Sequence, residues 1–126
     1  MQDSEISPFK GKTGLSRLFA AAGNSMNGFK VAWLGEAGFR QVCLLAVLGI
    51  GVMWWLSLPG LTGAVIVFAH LLSIAAELIN SAVEAAVDHT SLAWSELAKR
   101  AKDLASAAQL VTLINIAAVW LFVLLG

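Results

Sequence analysis

Charged residues are scarce in this chain of 126 residues: Asp, Glu, Lys and Arg make up 13 % of it, against 59 % hydrophobic residues. Soluble domains carry about 25 % charged residues, so the balance argues against an ordinary soluble domain and for a membrane protein. Eight acids cancel eight bases, which removes any bulk electrostatic basis for nucleic-acid binding. The one cysteine, Cys43, cannot form an internal disulfide and reads as a packing residue within an apolar run. No G-x-G-x-x-G occurs. Gly11-Lys12-Thr13 is like the end of a phosphate-binding loop, but that motif needs a glycine five residues before Gly11, where Ile6 stands. Neither common glycine loop for a nucleotide is therefore available. The first forty-one residues lack the apolar segment of a signal peptide, and Pro8 and several lysines interrupt them; no cleaved export signal is expected.

What is present is apolar and helical. Residues 1–12 read as a flexible tail, and 13–126 as a single membrane domain. Large apolar residues fall at 15, 18, 19, 22, 26, 29 and 33, a helical spacing with Arg17, Asn24, Asn27 and Lys30 mostly elsewhere. A helix of this kind, over about 14–34, suits a membrane surface. Val42 to Leu58 carries no charge and ends at Pro59-Gly60; Leu61 to Ala76 and Leu104 to Leu125 are likewise uncharged. Three spans are predicted, over about 40–58, 61–88 and 102–125. Trp54 and Trp55 fit an interfacial belt. His70 falls mid-span and reads as a packed, neutral histidine. Ser106, Gln109, Thr112 and Asn115 recur every third residue in the last span, a polar ridge suited to contact with other helices.

One stretch breaks the apolar pattern within a helix: Glu77 to Asp88. At 100° per residue, Glu84 falls about 20° from Glu77 and Asp88 about 20° on its other side, with Asn80 and Ser81 flanking the line. A carboxylate facing mid-bilayer lipid costs about 2.5 to 3.5 kcal/mol. The stripe therefore marks either a polar pocket between helices or a helix that has left the membrane. Glu77 falls about 24 Å along its span, close to the returning interface, and Glu84 about 10 Å further out.

All Lys and Arg lie before the first span or between spans two and three, and none lies at 57–62 or at the C-terminus. The positive-inside rule then puts the N-terminus and segment 89–103 in the cytoplasm and Gly126 outside. Three spans make a thin bundle around two carboxylates, so a homo-oligomer is expected. Glu36, Arg40, Glu77, Asn80, Glu84, Asp88, Lys102 and Asp103 all collect near the cytoplasmic surface. Carboxylates with nearby cations suit a metal-bound polyphosphate, since Mg²⁺ takes one or two carboxylates and completes its shell with phosphate oxygens and water. A small ion-coupled transporter subunit also gathers acids on helices, and stays open on spacing alone.

Three blocks add a resemblance. Glu36-Ala37-Gly38-Phe39-Arg40-Gln41, the stretch from Glu77 to Asp88, and Ala101-Lys102-Asp103-Leu104-Ala105-Ser106-Ala107-Ala108 resemble the signature blocks of the prokaryotic integral-membrane diacylglycerol kinases. Ala21-Ala22-Gly23-Asn24-Ser25 and Gly28 are similar to that family's surface helix. The likeness runs over about residues 14–125 in order and is strongest around Glu77. It implies an all-α membrane homotrimer, each protomer having a surface helix and three transmembrane helices, with a site shared between protomers. The implied reaction is phosphorylation of 1,2-diacylglycerol to phosphatidic acid by ATP with Mg²⁺, at the bacterial inner membrane. A polyprenol (undecaprenol) kinase of the same fold is the related alternative.

By this likeness Glu77 is the general base, and Glu36 and Glu84 hold Mg²⁺. Arg17, Asn24, Glu36, Glu84, Ala93, Trp94, Ser95, Lys102 and Asp103 meet the nucleotide. Arg17, Ala22, Ser25, Lys30, Trp33, Phe39, Arg40, Glu77, Asn80 and Ser106 meet the lipid. The sequence departs from the family pattern at Val42, where an acid is frequent, and at Trp94-Ser95, where an aromatic-His pair is frequent.

Overall fold

The computed structural model describes residues 13–126, and among these it holds four helices and no strand. They are α1 (Gly14–Gly35), α2 (Ala37–Trp55), α3 (Gly60–Thr90) and α4 (Glu96–Leu125). The tail expected at 1–12, with Lys10 and Lys12, lies outside the described residues. Helix α1 forms one unit, and α2–α4 form a second that begins at Glu36.

Helix α1 keeps large apolar side chains exposed, among them Leu15, Leu18, Phe19 and Met26. Its Ser25 Oγ donates to the Ala21 carbonyl at 2.9 Å, a bond spent within the helix.

Helices α2, α3 and α4 are each long and apolar enough to cross a membrane. The 19 residues of α2 measure about 28 Å, close to the hydrocarbon thickness of about 30 Å. The 31 residues of α3 and 30 of α4 measure about 45 Å each, so both must run past the hydrocarbon. The α2–α3 turn is tight: Ser57 adopts a left-handed φ of 51°, and Pro59 precedes α3 and accepts from the Gly63 N–H at 2.8 Å. Exposed Trp54 and Trp55 mark this end.

At the other end α3 continues to Thr90 and α4 starts at Glu96, ahead of its apolar run at Leu104. The polar segment 89–103 is thus mostly helical, and only 91–95 connects. Local chemistry explains this. The Ser95 Oγ accepts from the Ala98 N–H at 3.2 Å as an N-cap, and Glu96 puts negative charge in the first turn.

Helix α3 packs against both α2 and α4. Its buried face is Gly63, Ile66, Ala69, His70 and Ser73; α2 presents Phe39, Val42, Ala46, Gly49 and Met53, and α4 presents Gln109, Thr112 and Ile116. Small residues let the helices close. A Cβ at Gly49 would overlap the His70 ring, whose Cε1 would stand 2.7 Å away, and one at Gly63 would meet Met53 Sδ at 3.2 Å. The buried His70 Nε2 accepts from the Trp120 Nε1–H at 3.3 Å, as a neutral imidazole does.

Candidate active site

The start of α2 lies beside the middle of α3, and this register builds the site. A Cβ added at Gly38 would overlap Glu77 Oε1 and stand 3.2 Å from Glu77 Cδ. From that level to Thr90, α3 runs on for about 20 Å, and the first turns of α4 accompany it. The α3–α4 hairpin therefore projects beyond α2 and carries the polar residues with it.

Three acids gather where α2 begins. Glu36 is the N-cap residue of α2, and Glu77 and Glu84 sit two turns apart on α3. Both Glu36 and Glu84 lie close enough to act on Glu77 electrostatically, and the Gln109 side chain from α4 reaches α3 one turn earlier, donating to Ser73 Oγ at 3.3 Å. Glu36, Glu77, Asn80 and Glu84 are all partly exposed in the single chain. Asn80 leaves its Oδ1 buried without a partner among the described residues. Such an atom costs about 1 to 3 kcal/mol until something satisfies it.

A second cluster lies further out, around the 91–95 connection. A pocket of about 410 Å³ is lined by Asp88, Ala93, Trp94, Ser95, Lys102 and Asp103 among others. Lys102 Nζ donates to Asp88 Oδ1 at 2.6 Å across the hairpin, and Lys99 Nζ donates to Asp103 Oδ2 at 2.6 Å. Both pairs are substantially exposed, so each adds little to stability and both bases can turn toward an anion.

The residues singled out in the sequence divide accordingly. Glu36, Glu77, Asn80 and Glu84 come together; Phe39 is buried in the first turn of α2 beside half-buried Arg40. Ala93, Trp94, Ser95, Lys102 and Asp103 share the outer pocket. Ser106 is exposed on α4, one turn before Gln109. Arg17, Ala22, Asn24, Ser25, Lys30 and Trp33 are exposed on α1, a separate unit.

Three participants were not picked out from the sequence. Gly38 makes the space that Glu77 occupies, Gln109 bonds to Ser73 one turn before Glu77, and Lys99 lines the outer pocket. A polar residue every third position on α4 was the available signal for Gln109. Gly38 carried none, because a glycine reveals nothing of which helix crosses it.

Carboxylates at the edge of three candidate membrane spans, with a basic and aromatic pocket beyond them, mark an all-helical membrane protein with a polar site at one end of its bundle. Similarity to known proteins makes that class particular. Residues 23–124 match the prokaryotic diacylglycerol kinase family. The chain is 48 % identical over 120 residues to a diacylglycerol kinase of Pseudomonas aeruginosa, covering 95 % of this chain and 98 % of that protein. It is 43 % identical to one of Helicobacter pylori, covering 95 % and 92 %, and 37 % identical to one of Escherichia coli, covering 89 % and 92 %. The chain belongs to the prokaryotic diacylglycerol kinase family, whose members are phosphotransferases with an alcohol acceptor and a nucleotide co-substrate.

Proposed function

We propose that this protein transfers the γ-phosphoryl group of ATP to the free hydroxyl of 1,2-diacylglycerol, giving phosphatidic acid and ADP at the cytoplasmic face of the bacterial inner membrane. The observation that carries the reading is the Glu77 carboxylate packed against the start of α2, where Glu36 is the N-cap, with Glu84 two turns on and the Lys102 pocket further out along the same hairpin.

Glu77 is the acid deepest in the apolar part of α3, where a lipid hydroxyl arrives. It takes the hydroxyl proton as the lipid oxygen attacks the γ-phosphorus. The bond from that phosphorus to the bridging oxygen breaks, and ADP leaves with the electron pair. Asn80, one turn on, is assigned to orienting Glu77 or the lipid, whose hydroxyl oxygen can accept from its amide N–H.

Glu36 and Glu84 are hard oxygen donors of the right number for Mg²⁺, which completes its shell with phosphate oxygens and water. Among the described residues no group of three or more His, Cys, Asp or Glu could hold an ion unaided. This fits a metal that arrives on the nucleotide rather than one caged by protein. Held by Glu36 and Glu84, such an ion would supply positive charge against the phosphates of the nucleotide. Lys102 and Lys99 face the phosphates, and Trp94 offers an aromatic face to the base, in a pocket large enough for part of a nucleotide. Asp103 and Ser95 fix the pocket wall, with Ala93 beside them. Arg17 and Asn24 of α1 are assigned to the nucleotide, and Ala22, Ser25, Lys30 and Trp33, with Phe39, Arg40 and Ser106, to the lipid.

Partial exposure of the acids in a lone chain supports completion of the site by neighbouring copies, as a homotrimer. The placement of Lys and Arg supports a cytoplasmic N-terminus and a periplasmic C-terminus. The test is transfer of labelled phosphate from Mg-ATP to a panel of lipid alcohols in mixed micelles. Phosphatidic acid is the expected product. Cation flux in liposomes without ATP use would overturn the reading, and sole transfer to polyprenols would replace the acceptor.

A further inference from the structure

The outer pocket is assigned to a polyanion, yet its lining carries no net charge. Lys99 and Lys102 line it, and so do Asp88 and Asp103. Each lysine is already held. Lys102 Nζ donates to Asp88 Oδ1 and Lys99 Nζ donates to Asp103 Oδ2, both at 2.6 Å. A phosphate that binds either ammonium has to draw it away from an acid.

The two pairs differ in kind. Lys99 and Asp103 are four apart on α4 and can meet however the helices are arranged. Asp88 and Lys102 meet only because α3 and α4 lie side by side at this level.

A bridge of that sort commonly just closes a hairpin. Two observations set Asp88 apart from that. Both side chains of the bridge are half exposed, so water weakens it and the fold gains little. Asp88 also stands in the last turn of α3, which ends at Thr90. The free carbonyls of a helix end carry partial negative charge and disfavour a carboxylate beside them. Neither the hairpin nor the helix end gains much from an acid at this position. The group that depends on Lys102 is therefore Asp88, and it shares that lysine with the ligand.

We propose that Asp88 competes with the nucleotide for Lys102, taking the ammonium back from the phosphates and so hastening the release of ADP. The inference rests on the pocket being the nucleotide site. With a phosphate on Lys102, the Asp88 carboxylate is left without its cation, at the negative end of α3 and near a second anion. Both effects raise the free energy of the loaded pocket. ADP has one phosphate fewer than ATP and holds Lys102 less strongly, so the balance tips toward Asp88 once transfer is complete.

The experiment measures equilibrium binding of Mg-ADP, and KM for ATP, in mixed micelles for the parent, Asp88→Asn, Lys102→Met and the double variant. Asparagine keeps the size of the side chain and removes its charge. Asp88→Asn is expected to bind Mg-ADP about three- to tenfold more tightly than the parent and to lower KM for ATP. Its melting temperature should barely move, because the bridge is half exposed. Lys102→Met should weaken Mg-ADP binding, and adding Asp88→Asn to it should change that binding less than about twofold. A merely structural bridge would give no tightening in Asp88→Asn. Unchanged or weaker Mg-ADP binding in Asp88→Asn, or an undiminished gain in the Lys102→Met background, would each overturn the proposal while leaving the pocket assigned to the nucleotide. Parental Mg-ADP affinity in Lys102→Met alone would instead overturn that assignment, and this inference with it.

Discussion

Gly38 at the start of α2 lies so close to Glu77 on α3 that the carboxylate occupies the space a side chain would need. The obstructing atoms are the far end of a flexible chain, so a substitution there moves the carboxylate rather than the helix. Gly38→Val should therefore fold and insert normally while lowering kcat at least about tenfold, since a displacement of about 1 Å at a catalytic group is costly. Turnover measured beside the melting temperature in micelles checks this: the first should fall and the second should barely move.

Glu84 stands two turns from Glu77 toward water and is assigned to the metal-bound nucleotide. Glu84→Gln should raise the Mg²⁺ concentration needed for half-maximal rate about tenfold or more, leaving the apparent affinity for the lipid unchanged. Titration of Mg²⁺ at fixed ATP reads this directly.

Removing the metal altogether separates its role from the fold. Among the described residues none form a caged metal site, so EDTA should abolish phosphate transfer and leave helicity and melting temperature as they were. A metal that built the structure would instead lower both.

The Lys102–Asp88 bridge spans the α3–α4 hairpin at 2.6 Å but is half exposed. Its loss should cost the fold less than about 1 kcal/mol. Lys102→Met should nonetheless raise KM for ATP about tenfold, because a charge-assisted contact to phosphate is lost. The parental KM should also rise with salt, as screening weakens that contact.

The α2–α3 crossing rests on Gly49, which leaves room for the His70 ring. Gly49→Ala should destabilise the bundle by about 1 to 3 kcal/mol through overpacking. Adding His70→Val should recover part of that loss by giving up the ring volume. Thermal melts of the two variants in one detergent decide it.

Much of this could be read from residue order, and the remainder could not for identifiable reasons. The uncharged runs at 42–58, 61–76 and 104–125 each became a membrane-length helix, because burial in lipid requires an unbroken apolar surface. The 77, 84, 88 repeat placed its acids on one stripe because helical geometry admits nothing else. The start of α4 was harder. Lys99, Arg100, Lys102 and Asp103 read as a polar connection, yet a helix needs only the Ser95 cap and good helix formers, not apolarity. Gln109 and Thr112 belonged to a polar ridge whose contact with other helices was expected, but its target, Ser73, depends on how two helices are rotated. The pairing of Asp88 with Lys102 depends on the hairpin closing, which spacing in the chain does not encode. Family similarity supplied the reaction; helical periodicity supplied the place for it.

The central claim is that Glu77 accepts the proton from the lipid hydroxyl. The direct measurement is single-turnover phosphate transfer by Glu77→Gln to diacylglycerol in mixed micelles, paired with equilibrium binding of Mg-ATP. The account predicts a rate lower by a factor on the order of a hundred to ten thousand, the usual contribution of a general base, with nucleotide affinity largely kept. A rate within about twofold of the parent, at the same bound nucleotide, would contradict it.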